Sequence, residues 1–177
     1  SFVGLQNYLE LVRDPDFWAS LWHTLYFILL TVVPNTAVGF LLALLVVRLK
    51  RLQLPILAAF FLPYVLPVSV VTTGALWLLD TNFGIINYLT GSMISWFQDP
   101  NWAMPAVAIV TIWWTVGFNM LLFISGLHNI SPDVYEAASI DGANRWQQFL
   151  YITCPLIWPV ASLVLLLQLI AQFKIFD

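Results

Sequence analysis

"SPDVYEAASIDGANRWQQFLYITCP", residues 131–155, lies between two long apolar runs and carries acids, an Asp-Gly break and an arginine in a chain that is otherwise 8% charged. Ser131 is a good N-cap, Pro132 suits the first helical position, and Asp133 sets negative charge against the helix N-terminus. The helix these residues start should run through Tyr135, Glu136, Ala137 and Ala138 to about Ile140. Asp141 and Gly142 then end it, because glycine takes the left-handed conformation at low cost. A second short helix follows, with Trp146, Phe149, Leu150 and Ile152 on its apolar face. Asn144, Arg145, Gln147 and Gln148 face away, and Pro155 opens the next apolar run. The stretch reads as an elbow of two short helices.

The surroundings say what this elbow interrupts. The chain has 177 residues, 61% of them apolar and 16% aromatic, with a mean hydropathy of +0.88. Soluble domains carry about 25% charged residues, so composition alone gives a membrane protein. A net charge of −3 and only six Lys and Arg leave no basic stripe for phosphates, which excludes nucleic acid as a partner. Cys154 is the only cysteine, so an internal disulfide and a CxxC metal or redox site are excluded. At the start, Phe2, Leu5, Leu9 and Val12 recur at helical spacing, the pattern of an amphipathic helix at an interface rather than a signal peptide. The missing initiator Met and the abrupt end at Asp177 lead to the expectation of an internal piece of a longer chain.

A helix rises 1.5 Å per residue, so crossing a hydrocarbon core of roughly 30 Å takes about 20 apolar residues. Four windows qualify: Trp18 to Val47, Pro55 to Leu79, Trp102 to Leu127, and Cys154 to Phe173. None holds an Asp, Glu, Lys or Arg in its interior. Arg48, Lys50, Arg51 and Arg145 fall on one side, whereas residues 80–101 hold Asp80 and Asp99 and no basic residue. By the positive-inside rule the basic side, with the elbow, is cytoplasmic, and residues 80–101 lie outside. Within that outer loop Tyr88, Trp96 and Phe97 are expected at headgroup level.

Polar residues inside the spans bear on whether they merely anchor the chain. Pro63 and Pro67, in "FFLPYVLPVSVVTTG" (residues 60–74), each remove a backbone donor and are expected to leave the carbonyls of Ala59 and Pro63 without helical partners. Lipid cannot satisfy such carbonyls, so they must meet protein or a water-filled cavity. Tyr64, Ser69, Thr72 and Thr73 add polar groups nearby. The third span has Gly117 and Asn119, and the fourth has Gln168 and Gln172 one turn apart on one face. These residues suit a polar path through a bundle, or equally the hydrogen-bonded joining and kinking of helices.

The elbow also resembles a known element. Tyr135, Glu136, Ala137, Ala138, Asp141, Gly142, Ala143, Phe149, Ile152 and Pro155 fit the EAA motif of ABC importer permeases, with Cys154 where leucine is usual. "FVGLQNY", "FLPYVLP", "VGFNMLLFISGLHNI" and "FKIFD" resemble the carbohydrate branch, the permeases of the maltose and glycerol-phosphate type. The resemblance covers nearly the whole chain. It implies an all-α polytopic membrane protein with the type-I importer transmembrane fold, spread over residues 1–177. About four transmembrane helices fall in this stretch, with further spans before Ser1 and after Asp177. Residues 131–153 would form the cytoplasmic coupling segment.

The resemblance further implies a bacterial or archaeal inner-membrane location and a permease that forms the pathway for a sugar or related solute. Its implied partners are a cytoplasmic ABC ATPase dimer, a second permease subunit, an extracytoplasmic solute-binding protein and the lipid bilayer. ATP and Mg would sit in the ATPase, with no cofactor in this chain, which lacks a GxxxxGKS or GxxxxGKT loop. Contacts to the ATPase would come from Tyr135, Glu136, Ala137, Ala138, Asp141, Gly142, Ala143 and Arg145. Positions lining the solute pathway would be Tyr64 and Val68; Val116, Gly117 and Met120; and Gln168, Gln172 and Ile175. A sugar suits such a mixture, since aromatic faces cover its C–H surface while amides and hydroxyls pair with its own hydroxyls.

Three other readings compete. His128 and Asp133 match an H-x-x-x-x-D spacing found in membrane acyltransferases, but Pro132 and Asp133 are already accounted for as a helix start. No Ser, His and acid cluster remains for nucleophilic catalysis. A proton-coupled secondary transporter would want an ionisable residue inside a span, and none of the four has one. A permease for amino acids or phosphate would carry a similar EAA element, and only the flanking motifs favour carbohydrate.

Overall fold

The computed structural model describes residues 5–174, and the described residues form helices joined by turns, with no strand among them. Helix α1 (Gln6–Arg13) is separated from α2 (Pro15–Arg48) by Asp14, whose carboxylate accepts the Asp16 N–H at 2.9 Å. Pro15 at the first helical position completes that start. Trp18 Nε1 donates to the Val12 carbonyl at 2.8 Å and pins α1 to the base of α2. Of the apolar positions expected on the first helix, Leu5 and Val12 are exposed. Phe2 lies outside the described residues.

The second expected span is not one helix. It is divided into α3 (Gln53–Val65) and α4 (Val68–Leu78), which meet at a bend of 97°. The two prolines act differently. Pro63 sits inside α3, and its own carbonyl is not orphaned, because the Leu66 N–H donates to it at 3.0 Å. Pro67 makes the break. The ring of a proline drives the preceding residue out of the helical region, and Leu66 is extended at φ −70°, ψ 139°.

Next come α5 (Ile85–Thr90), α6 (Pro100–His128), α7 (Pro132–Ile140), α8 (Arg145–Gln148), a π turn (Phe149–Thr153) and α9 (Cys154–Phe173). Side-chain pairings give the directions. Asn35 reaches Thr115, while a Cβ on Gly39 would lie 2.8 Å from that of Asn119. Both residue numbers rise together, so α2 and α6 run parallel. Gln53 meets His128 at 3.4 Å, whereas Gly117 lies against the Phe60 backbone, so α3 runs antiparallel to α6. Gly126 faces Ile157 and Val160, and Gln168 faces Asn119, which makes α9 antiparallel as well.

The core follows from that arrangement. Ala43 and Val46 of α2, Met120, Phe123 and Ile124 of α6, and Ile157 and Val164 of α9 form one buried cluster. Gly117 lets α3 approach this centre, since a Cβ there would stand 2.0 Å from the Phe60 carbonyl oxygen. Three helices are long and apolar enough to cross a membrane: α2, α6 and the continuous helical segment Arg145–Phe173. The bent pair α3–α4 makes a fourth crossing if taken as one span.

The loop between α4 and α6 is organised by one side chain. Asn87 is buried; its amide donates to the carbonyls of Thr81 at 3.1 Å and Ile94 at 2.9 Å, and its oxygen accepts the Trp96 indole N–H at 2.8 Å. Tyr88, beside it, is exposed.

Candidate functional site

The elbow begins as its residues dictate. Ser131 accepts the Asp133 N–H at 3.3 Å, and α7 ends at Ile140 with Asp141 as its cap, followed by Gly142, whose φ of +83° is a left-handed conformation that side chains with a Cβ adopt at a cost of about 1–2 kcal/mol. The second half departs from expectation in two ways. Asn144 and Gln147 do not simply face away. They form a reciprocal capping box, with Asn144 Oδ1 accepting the Gln147 N–H at 2.9 Å and Gln147 Oε1 accepting the Asn144 N–H at 2.8 Å. Nor does the second helix stop before the span. It passes through the π turn into α9 without a break, with the Cys154 N–H bonded to the Phe149 carbonyl. Pro155 supplies the reason: its ring would crowd the Tyr151 carbonyl in regular α geometry, and a wider turn just before it relieves the contact.

Two contacts bind the elbow to the membrane helix; at the α9 end Thr153 was not singled out in advance, and Gln148 was expected to face away. Tyr135 and Thr153 pair through their hydroxyls at 2.9 Å across 18 residues of sequence. Gln148 Nε2 donates to Ser139 Oγ at 2.9 Å and to the Ala143 carbonyl at 3.1 Å. Thr153 carried a signal, as a hydroxyl at the mouth of an apolar run. Gln148 does not face away as its polar neighbours suggested, but turns back to hold the end of α7. On the other side of α7, Glu136, Ala137 and Ile140 are exposed, as are Asp141, Gly142 and Arg145; Ala138 and Ala143 are partly covered.

The expected pathway residues separate into groups. Tyr64 and Val68 flank the α3–α4 break and remain exposed, with Tyr64 stacked on Phe118 at 4.9 Å between ring centres. Val116, Gly117 and Met120 are buried in the packing of the chain itself. Gln168 is buried in a hydrogen-bonded cluster that joins three helices: its Nε2 donates to Asn119 Oδ1 at 2.8 Å, and its Oε1 accepts from Asn35 Nδ2 at 3.3 Å. Asn35 also donates to Thr115 Oγ1 at 2.8 Å. Gln172 is buried too, but its Oε1 has no partner. Ile175 lies outside the described residues. Asn35 was missed by sequence reasoning, because its partners lie 80 and 133 residues away.

His128, the residue behind the acyltransferase reading, is engaged with the Gln53 amide at the end of α6.

Fold and elbow together define a class: a polytopic helical membrane protein whose spans are linked at one face by a braced, outward-facing helix. Residues 9–176 match the model of the binding-protein-dependent transport system inner membrane component family, and the chain belongs to that family. It is 33% identical over 180 residues to the sulfoquinovosyl glycerol transport system permease protein of Agrobacterium fabrum, covering 99% of this chain and 58% of that one. It is 32% identical to the trehalose/maltose transport system permease protein of Thermococcus litoralis, covering 99% of this chain and 61% of that one. Thus the chain spans about three fifths of the length of these relatives. Among solved structures, a bacterial ABC transporter for import of the acidic polysaccharide alginate superimposes with a TM-score of 0.86 at 23% identity, over 98% of this chain and 63% of that one. This likeness establishes the type-I importer helix arrangement as the fold.

Proposed function

We propose that the chain belongs to a permease subunit of an ATP-driven importer that conducts a sugar or related solute, and that α7 is its coupling helix. Relatives named for sulfoquinovosyl glycerol and for trehalose and maltose support the carbohydrate class. One observation carries the coupling role. The inner side of α7 is bonded to the π turn that opens α9, while its outer face, Glu136, Ala137 and Ile140, is bare. A helix held on one side and uncovered on the other moves with its span when a partner grips the free face.

In this reading the partner is a cytoplasmic ATPase dimer, which holds the ATP and Mg. Glu136 offers it a charge, Ala137 permits close approach, and Gly142 fixes the angle of the elbow. Closure of the ATPases displaces α7, and the Tyr135–Thr153 bond carries the displacement into α9 as a rigid-body movement. A second permease subunit completes the pathway, and an external binding protein delivers the solute. A solved relative of the same fold is described in complex with an alginate pentasaccharide-bound periplasmic protein, which supports that delivery route. Tyr64 and Val68, exposed at the break, are the positions open to face the solute, and Gln172, buried with an unpaired amide oxygen, would join them only when the helices around it part.

Gly142→Val in the full permease, assembled and reconstituted, tests the coupling role. A β-branched residue at positive φ distorts the elbow, so ATP-driven uptake and ATPase association should fall together while the permease still inserts. Unchanged uptake with normal ATPase association would remove α7 from the coupling role.

A further inference from the structure

A groove of about 490 Å³ opens where α2 and α6 end and α9 begins, on the same face as the elbow. Arg48, Arg145 and Gln148 contribute polar groups to its wall, and no carboxylate lines it. Among the described residues neither guanidinium has a carboxylate within salt-bridge distance or a hydrogen-bond partner. The rest of the wall is mostly apolar, from Leu44, Leu127 and Phe149. Arg48 is the last residue of one membrane-crossing helix, and Arg145 the first of another. Leu44 and Val47, on the same wall, belong to the last turns of the first apolar run, so the groove shared by the two arginines opens at the end of that span.

We propose that this groove binds an anionic phospholipid, its phosphate held between Arg48 and Arg145 and its glycerol and upper acyl chain lying on Leu44, Leu127 and Phe149. The occupant has to satisfy two cations and an apolar wall together, at the end of a span. Guanidinium forks pair bidentately with phosphate oxygens, and a basic pocket between spans is the setting in which acidic headgroups are held. A cavity of this size accommodates a headgroup with its glycerol. Because Tyr135, Gln148 and Thr153 line the same groove, a lipid there would rest directly against the bonds that join α7 to α9.

The test uses the complete transporter reconstituted in vesicles of phosphatidylcholine with phosphatidylglycerol, then purified in mild detergent, with retained lipid read by native mass spectrometry. The unaltered complex should retain phosphatidylglycerol over phosphatidylcholine. Retention should drop by about fivefold for each arginine replaced in Arg48→Gln and Arg145→Gln, and the double Arg→Lys variant should keep most of it. Arg51→Gln, outside the groove, should match the unaltered protein. Equal retention by the double Gln variant overturns the proposal. Displacement of the retained lipid by inorganic phosphate would also overturn it, leaving a free-anion site. So would loss of the ATPase from the double Gln complex with phosphatidylglycerol retention unchanged, since the arginines would then face protein.

Discussion

Gln168 and Gln172 stand one turn apart on α9, yet the chain uses them differently. Gln168 has both amide atoms engaged, with Asn119 on one side and Asn35 on the other, whereas the Oε1 of Gln172 is buried without a partner. Replacing a bonded group leaves its partners unsatisfied, while replacing an unpaired one relieves a cost already present. In a membrane such interhelical bonds contribute about 1–2 kcal/mol at most. Gln168→Leu should therefore lower the unfolding free energy of the detergent-solubilised permease by about that much. Gln172→Leu should leave it unchanged or raise it slightly, and a fall in solute uptake by that variant would then report on the pathway. Equal destabilisation by the two would contradict the assignment of Gln168 alone to the cluster. Spacing put both glutamines on one face correctly. It could not divide their roles, because that depends on Asn35, which no local pattern connects to them.

At the scale of elements, the elbow's start and its glycine turn were legible because caps and left-handed glycines are local chemistry. The π turn was not, since it arises from Pro155 acting on a helix that was already running. Likewise both prolines of the second span were visible, but their consequences were not equal. Pro63 is accommodated, and Pro67, acting on Leu66, turns the chain by 97°. Packing then decides what each glycine can bear. Gly117→Ala would force a methyl against the Phe60 carbonyl, pushing α3 from α6 at a cost of about 1–3 kcal/mol or more. Gly74, in α4, has nothing within 4 Å of a Cβ, so Gly74→Ala should gain up to about 1 kcal/mol from helix propensity. Thermal unfolding of the two variants should shift in opposite directions; a Gly117→Ala variant as stable as the unaltered permease would show that α3 is not seated on Gly117.

For the whole molecule, parallel α2 and α6 impose a topological requirement. Both end at the face that carries the elbow, so the chain between them must return to the other side, and only α3, α4 and residues 79–99 are available to do it. The charge pattern had placed the two loops on opposite faces by the positive-inside rule; the parallel pair reaches the same result from packing. Impermeant maleimide labelling can check it in the full permease with Cys154 replaced by Ser. Ile140 and Met93 are 87% and 88% exposed, so Ile140→Cys and Met93→Cys offer reactive positions on the elbow and on the outer loop. Each should label from one face of sealed vesicles only, and the faces should be opposite, with Ile140→Cys reacting in inside-out vesicles. Labelling of both from a single face would make α3–α4 a re-entrant loop, and α6 could not then run parallel to α2 from the far side of the membrane.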